Sequence, residues 1–146
     1  AKICMNAGCE MILANGQYMN PLKRLIEKNI YTSFVPKIST LAARKKWIVG
    51  SIGSSAKIFI DGGAAKALKN GKSLLAAGIT KVVGEFKKGD NILVVDNNEH
   101  ELARGLSSFS SKEIEKIKGL HSDKIEGILG YASKSEIIHQ DDMVKL

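Results

Sequence analysis

From Lys57 onward the chain is cut into short apolar runs by turn residues, and this punctuation limits the fold more than any other feature. Lys57–Asp61, Thr80–Phe86, Asn91–Asp96 and Glu101–Phe109 each have the length of one strand. Lys88-Gly89-Asp90 and Asp96-Asn97-Asn98 between them are rich in residues that tolerate turn dihedrals. A helix separates the first two strands. Asp61 caps it, Ala64, Ala65, Ala67 and Leu68 form its body, and Asn70-Gly71 ends it. The order β–α–β–β–β predicts a compact, mostly antiparallel barrel or curled sheet with one helix packed on it.

Two helical stretches follow. Ser110-Ser111-Lys112-Glu113 reads as a capping box, with Ile114 and Ile117 as the buried stripe and Gly119 as the stop. Ser122 is the expected cap of a second helix carrying Ile125, Ile128 and Leu129 and ending at Gly130. Glu136–His139 is a last short strand. Phe59, Phe86, Phe109 and Tyr131 are assigned to the core.

The front of the chain has another rhythm. Residues 1–9 read as a helix stopped by Gly8, and Met11–Ala14 as a buried strand that stops at Asn15-Gly16. Asn20-Pro21 opens a second helix with Leu22, Leu25 and Ile26 on one face, and Tyr31–Val35 is a further strand. Helix–strand–helix–strand with strands buried on both faces is the pattern of an α/β domain. Two strands and two short helices cannot cover a parallel sheet, so the rest of such a domain lies elsewhere or is missing. The alanine at position 1 fits a truncation and equally a natural start after methionine removal. The expected division is 1–36 for the α/β piece, 37–49 for a linker and 50–146 for the β-rich module, an α+β chain as a whole.

Charge follows the same division. Through Val49 there are eight cations against two anions, peaking at Arg44-Lys45-Lys46; the remainder has 14 against 13. The module is nearly neutral, which argues against strong nucleic-acid binding despite an overall charge of +7. Within it, Lys66, Lys69 and Lys72 form a cationic rim on the helix and its exit, and they are the candidate RNA contacts. Gly71-Lys72-Ser73 imitates the end of a phosphate-binding loop. The glycine that motif needs five residues earlier is Lys66, so the segment reads as a helix end. His100, His121 and His139 share no ligand spacing, and Cys4 and Cys9 lack Cys-x-x-Cys spacing. The cysteines read as core thiols of a reducing compartment. No catalytic, cofactor-binding or metal site is expected. No apolar run reaches the ~18 residues of a membrane span.

Lys57-Ile-Phe-Ile-Asp-Gly-Gly-Ala-Ala-Lys-Ala-Leu68, Gly71–Ile79, Gly84–Asp90 and Leu102–Gly105 resemble a PUA domain, a pseudobarrel best known from RNA-modifying enzymes. Ala43–Ile48, Ser107–Glu113, His121-Ser122 and Ile128–Tyr131 narrow this to the C-terminal part of the bacterial glutamate 5-kinase family. Ile12–Gly16 and Ser33–Val35 resemble the closing strands of that family's amino-acid kinase domain. The resemblance implies a parent enzyme that moves the γ-phosphoryl group of ATP, with Mg2+, to the side-chain carboxylate of L-glutamate in proline synthesis. It implies a cytoplasmic location and the rest of the kinase domain as partner. A homo-oligomer stays open, as does RNA. The family's catalytic groups and its Gly-Gly-Met…Thr-Lys nucleotide motif fall before Ala1, so none is carried onto this sequence, and this segment alone is expected to be inactive and to bind no cofactor. Ala76-Ala77 departs from the family, which usually has a proline before the glycine. The alternative is a free-standing PUA module that binds RNA.

Overall fold

The computed structural model describes residues 1–28, 30–50, 56–131 and 134–146. The chain divides into two compact units, Ala1–Arg44 and Lys45–Leu146.

The first unit opens with α1 (Lys2–Asn6), which ends at Gly8 with φ 72°. Strands β1 (Met11–Leu13) and β2 (Thr32–Phe34) flank helix α2 (Pro21–Lys28). Asn20 precedes α2 with φ 54°, a left-handed residue rather than the extended backbone usual for a cap. The Arg24 guanidinium lies 3.8 Å from the Tyr18 ring centroid. The two strands pair antiparallel, Met11 against Phe34 and Leu13 against Thr32, and Ser33 Oγ donates to Glu10. This corrects the expectation of buried strands. Ile12 and Leu13 are exposed, as are Leu22 and Ile26 on α2 and Met19 before it. No described element of this unit covers these side chains. Cys9 is exposed and Cys4 half-buried, so neither is the core thiol expected. The stretch 37–49, expected as a linker, is largely helix: α3 runs Thr40–Gly50.

The second unit is the β-rich module. Its strands are β3 (Lys57–Ile60), β4 (Leu74–Leu75), β5 (Ile79–Val83), β6 (Asn91–Val95), β7 (Glu101–Leu106), β8 (Glu136–Ile138) and β9 (Met143–Lys145). Five form one sheet in the order β5-β3-β6-β7-β9, and β4 pairs with β8 in a second. Among these pairings only β3–β6 is parallel. That pair needs a crossover, and α4 (Gly62–Lys69) begins it. The sequence reading found β3, β5, β6, β7 and β8. It missed β4 and β9, which at two and three residues are too short to show a period of two.

Local signals set the helix ends. Asp61 accepts a hydrogen bond from the Ala64 N–H at 2.7 Å and caps α4. Helix α5 (Ser111–Ile117) starts at the capping box, with Ser110 Oγ accepting from the Glu113 N–H and Glu113 accepting from the Ser110 N–H at 2.7 Å. Bonds from Ser110, and then one from the Tyr131 hydroxyl at 2.5 Å, hold the Glu113 carboxyl below the usual range. Tyr131 is therefore a half-exposed clamp and not a core ring. Ser122 does not cap α6 (Ile125–Leu129). It lies inside a 3-10 turn, Ser122–Lys124, that leads into the helix, and its hydroxyl donates to the Ser135 carbonyl at 3.4 Å.

An apolar cluster joins these elements. Ile58 and Ile60 of β3, Ile92 and Val94 of β6, and Ala103 of β7 meet Leu68 of α4, Ile114 and Ile117 of α5 and Ile125 of α6. Phe86 and Phe109 belong to it, whereas Phe59 is only half-buried. Ile128 points outward.

Candidate functional site

Gly63, Ala64 and Ala67 of α4 form one wall of a cleft. Asp61 follows β3 and donates its N–H to the Gly78 carbonyl at 3.0 Å, which ties the helix start to the segment entering β5. Gly78 has no side chain, and a Cβ there would lie 2.4 Å from the Ala64 Cβ. Helix α4 can approach only because that atom is missing. At the other end Gly71 turns the chain with φ 77°, a conformation that costs glycine little, and sends Lys72 and Ser73 toward β4. The β4–β8 pairing then brings Glu136 opposite Leu75, and the Gln140 N–H donates to Ser73 Oγ at 3.1 Å.

The resulting cleft has a volume of about 660 Å³. Its wall is mostly apolar, with three alanines and two leucines among the residues that line it, and its polar groups come from Asp61, Lys72, Ser73, Glu136 and Gln140. Two carboxylates and one ammonium leave it without a strong net field. Its polar groups can donate and accept hydrogen bonds at the mouth of an otherwise apolar cleft. Among the described residues no group of three or more His, Cys, Asp or Glu could hold a metal ion.

The three candidate lysines separate. Lys72 lines the cleft, while Lys66 and Lys69 stand on α4 outside its lining. The structure adds a cation that sequence reasoning missed. Lys145 on β9 donates to the Lys69 carbonyl at 2.8 Å, at the C-terminal end of α4 where a cation is favourable. The two residues are 76 positions apart, so no local pattern could have paired them. A smaller depression of about 280 Å³ includes Lys45 and Lys145 with Asp141.

The histidines serve local structure. His100 Nδ1 lies 2.9 Å from Asp96 Oδ2, and this bond leads the causes that hold the Asp96 carboxyl below its ordinary range. His139 Nδ1 accepts from the Asp141 N–H at 3.2 Å, and His121 precedes the 3-10 turn. No helix among the described residues is long and apolar enough to cross a membrane.

Residues 56–129 match the PUA domain family. Over its whole length the chain is 59% identical to a glutamate 5-kinase of Pelagibacter ubique (strain HTCC1062) and covers 40% of that protein. It is 47% identical to a glutamate 5-kinase of Thermoanaerobacter sp. (strain X514), again covering 100% of this chain and 40% of the relative. The chain thus spans about two fifths of the length of these curated relatives. Among solved structures it is similar to a PUA domain from Aeropyrum pernix K1, with 15% identity and a TM-score of 0.45 over 89% of this chain and 85% of that one.

Proposed function

Because the chain belongs to the PUA domain family through residues 56–129, we propose that it is the C-terminal portion of a glutamate 5-kinase. Its module then follows the last elements of the amino-acid kinase domain. The parent enzyme transfers the γ-phosphoryl group of ATP to the side-chain carboxylate of L-glutamate, with Mg2+ neutralising phosphate charge, in the cytoplasm. The observation that carries this reading is end-to-end identity of 59% to a protein of which this chain covers 40%. The first unit supports it. Its exposed apolar side chains on β1 and α2 are those of a sheet fragment whose neighbours belong to the rest of a kinase domain. The domain limits proposed are 1–36 for that fragment, 37–49 for the connection and 50–146 for the PUA module.

Phosphoryl transfer rests on a cradle for the phosphates and groups that neutralise charge. No residue of this chain is assigned to either task. The purified chain is therefore expected to release no phosphate in a glutamate- and ATP-dependent assay. Supplying the remaining N-terminal segment of the Pelagibacter ubique relative in trans should restore turnover toward the ~1–100 s⁻¹ typical of kinases. Turnover in that range by the chain alone would refute the assignment.

A second reading, a free-standing RNA-binding module, draws on the cleft beside Lys72 and on Lys66 and Lys69 of the adjoining helix. With 14 cations against 13 anions after Val49, counterion release is small and binding at physiological salt is expected to be weak. A salt titration with single-stranded RNA checks this on residues 50–146, which leave out Arg44-Lys45-Lys46, and on K66A/K69A/K72A in the same segment. Each phosphate that a lysine no longer neutralises should lower the salt slope by roughly 0.7. Tight binding that survives the triple substitution excludes these lysines as the RNA-binding groups.

A further inference from the structure

Cys4 and Cys9 stand on either side of a helix end, and a hydrogen bond across that end joins their backbones. The Cys9 N–H donates to the Cys4 carbonyl at 2.9 Å, and the Gly8 N–H donates to the Met5 carbonyl at 3.3 Å. Ala7 is at φ −82°, ψ 0°, and Gly8 follows at φ 72°. Two such bonds around a left-handed glycine are a Schellman motif, with Cys4 and Cys9 at the two positions whose side chains the motif tends to place in contact. In most helices these two positions hold apolar side chains; here both hold thiols. Cys9 is exposed and Cys4 half-buried, so a reagent reaches the pair from solvent. Four residues intervene instead of two, so the spacing rule for redox cysteines passes over them.

We infer that Cys4 and Cys9 form a vicinal dithiol, a modification site that reacts with small-molecule disulfides and closes to an internal disulfide. Exposed Cys9 enters first. It loses its proton, and its thiolate attacks one sulfur of the reagent. The reagent S–S bond breaks, and half of the reagent leaves as a thiol carrying a proton. Cys4 then loses its proton and attacks the Cys9 sulfur of the mixed disulfide, releasing the second half as a thiol. Two protein thiols are oxidised and one small disulfide is reduced to two thiols. The new bond fixes the turn between α1 and β1, whose backbone shape Gly8 sets. A Cβ at Gly8 would lie 2.6 Å from the Thr40 N and 2.7 Å from the Ser39 carbonyl carbon, so Gly8→Ala must open this turn.

The test uses the full chain and oxidised glutathione as the probe, followed by acid quench, alkylation and trypsin digestion. Both cysteines fall in one peptide, residues 3–23, so internal closure appears as loss of two hydrogens without an adduct. The internal disulfide should dominate in the native chain, and C4S or C9S should stop at the mixed disulfide. The ratio of internal to mixed product should fall by roughly tenfold in Gly8→Ala and in the urea-unfolded native sequence, because each removes the effective concentration that the motif supplies. Two stable glutathione adducts on the native chain would overturn the inference. So would a product ratio that neither Gly8→Ala nor urea changes.

Discussion

Replacing Phe109 with alanine is expected to destabilise the β-rich module by about 3–5 kcal/mol, a large share of the stability of a small domain. Phe109 is the largest of the most deeply buried side chains, 2% exposed, and sits in the cluster with Ile114, Ile117 and Ile138. Its backbone is held independently of the ring: Ser107 Oγ donates to the Phe109 carbonyl at 2.6 Å. The Ser108 N–H donates to the Ile137 carbonyl at 2.8 Å. With that segment pinned, the walls cannot collapse into the space left by the ring, so the cavity cost adds to the transfer cost. Chemical denaturation followed by far-UV circular dichroism checks it, with an unchanged slope and a lower midpoint expected. Phe109→Leu should cost less than Phe109→Ala, since part of the volume is kept. A loss below about 1 kcal/mol for the alanine variant would remove Phe109 from the core.

The second large effect is expected at Gly105 in β7. A Cβ there would lie 2.6 Å from Ile138 Cγ2 and 2.8 Å from the Asp142 carbonyl oxygen. The first neighbour is a side-chain methyl that truncation removes; the second is backbone and cannot yield without moving the turn before β9. Gly105→Ala should therefore cost about 1–3 kcal/mol or more, and adding Ile138→Ala should not recover it. Gly78 provides the contrast. The three atoms nearest to a Cβ at Gly78 all belong to Ala64, the first of them its Cβ at 2.4 Å. Gly78→Ala should be destabilising alone and substantially rescued by Ala64→Gly, apart from the roughly 1 kcal/mol that glycine costs in a helix. Equal rescue at the two sites would show that the backbone oxygen of Asp142 is not what limits Gly105.

Function was legible in unequal parts. The run of residues from Lys57 to Gly105 that resembles a PUA domain lies inside the segment 56–129 that matches the family, and this chain aligns over its whole length with 40% of each of two glutamate 5-kinases. The cleft was not legible. Locally Asp61 caps α4 and Lys72 lies at its exit, as the sequence predicts. Their meeting with Glu136 and Gln140 depends on the β4–β8 pairing, where one partner is a two-residue strand with no signature of its own.

What the sequence determined by itself is the local structure of the module. Asp61 and Ser110 cap their helices, Gly71 and Gly130 end theirs, and β3, β5, β6 and β7 lie where short apolar runs and turns put them. The helix ends rest on contacts within about four residues and the strands on short apolar runs between turns, so the information is present in a short window. Tertiary structure alone decided the strand order, the parallel β3–β6 pair, the approach of α4 to Gly78, the placing of Lys145 on the end of α4, and the exposure of the first unit's apolar side chains. These depend on which surfaces find partners. An apolar run such as Met11–Leu13 states that a side chain favours burial, but whether it is buried is settled by what packs against it.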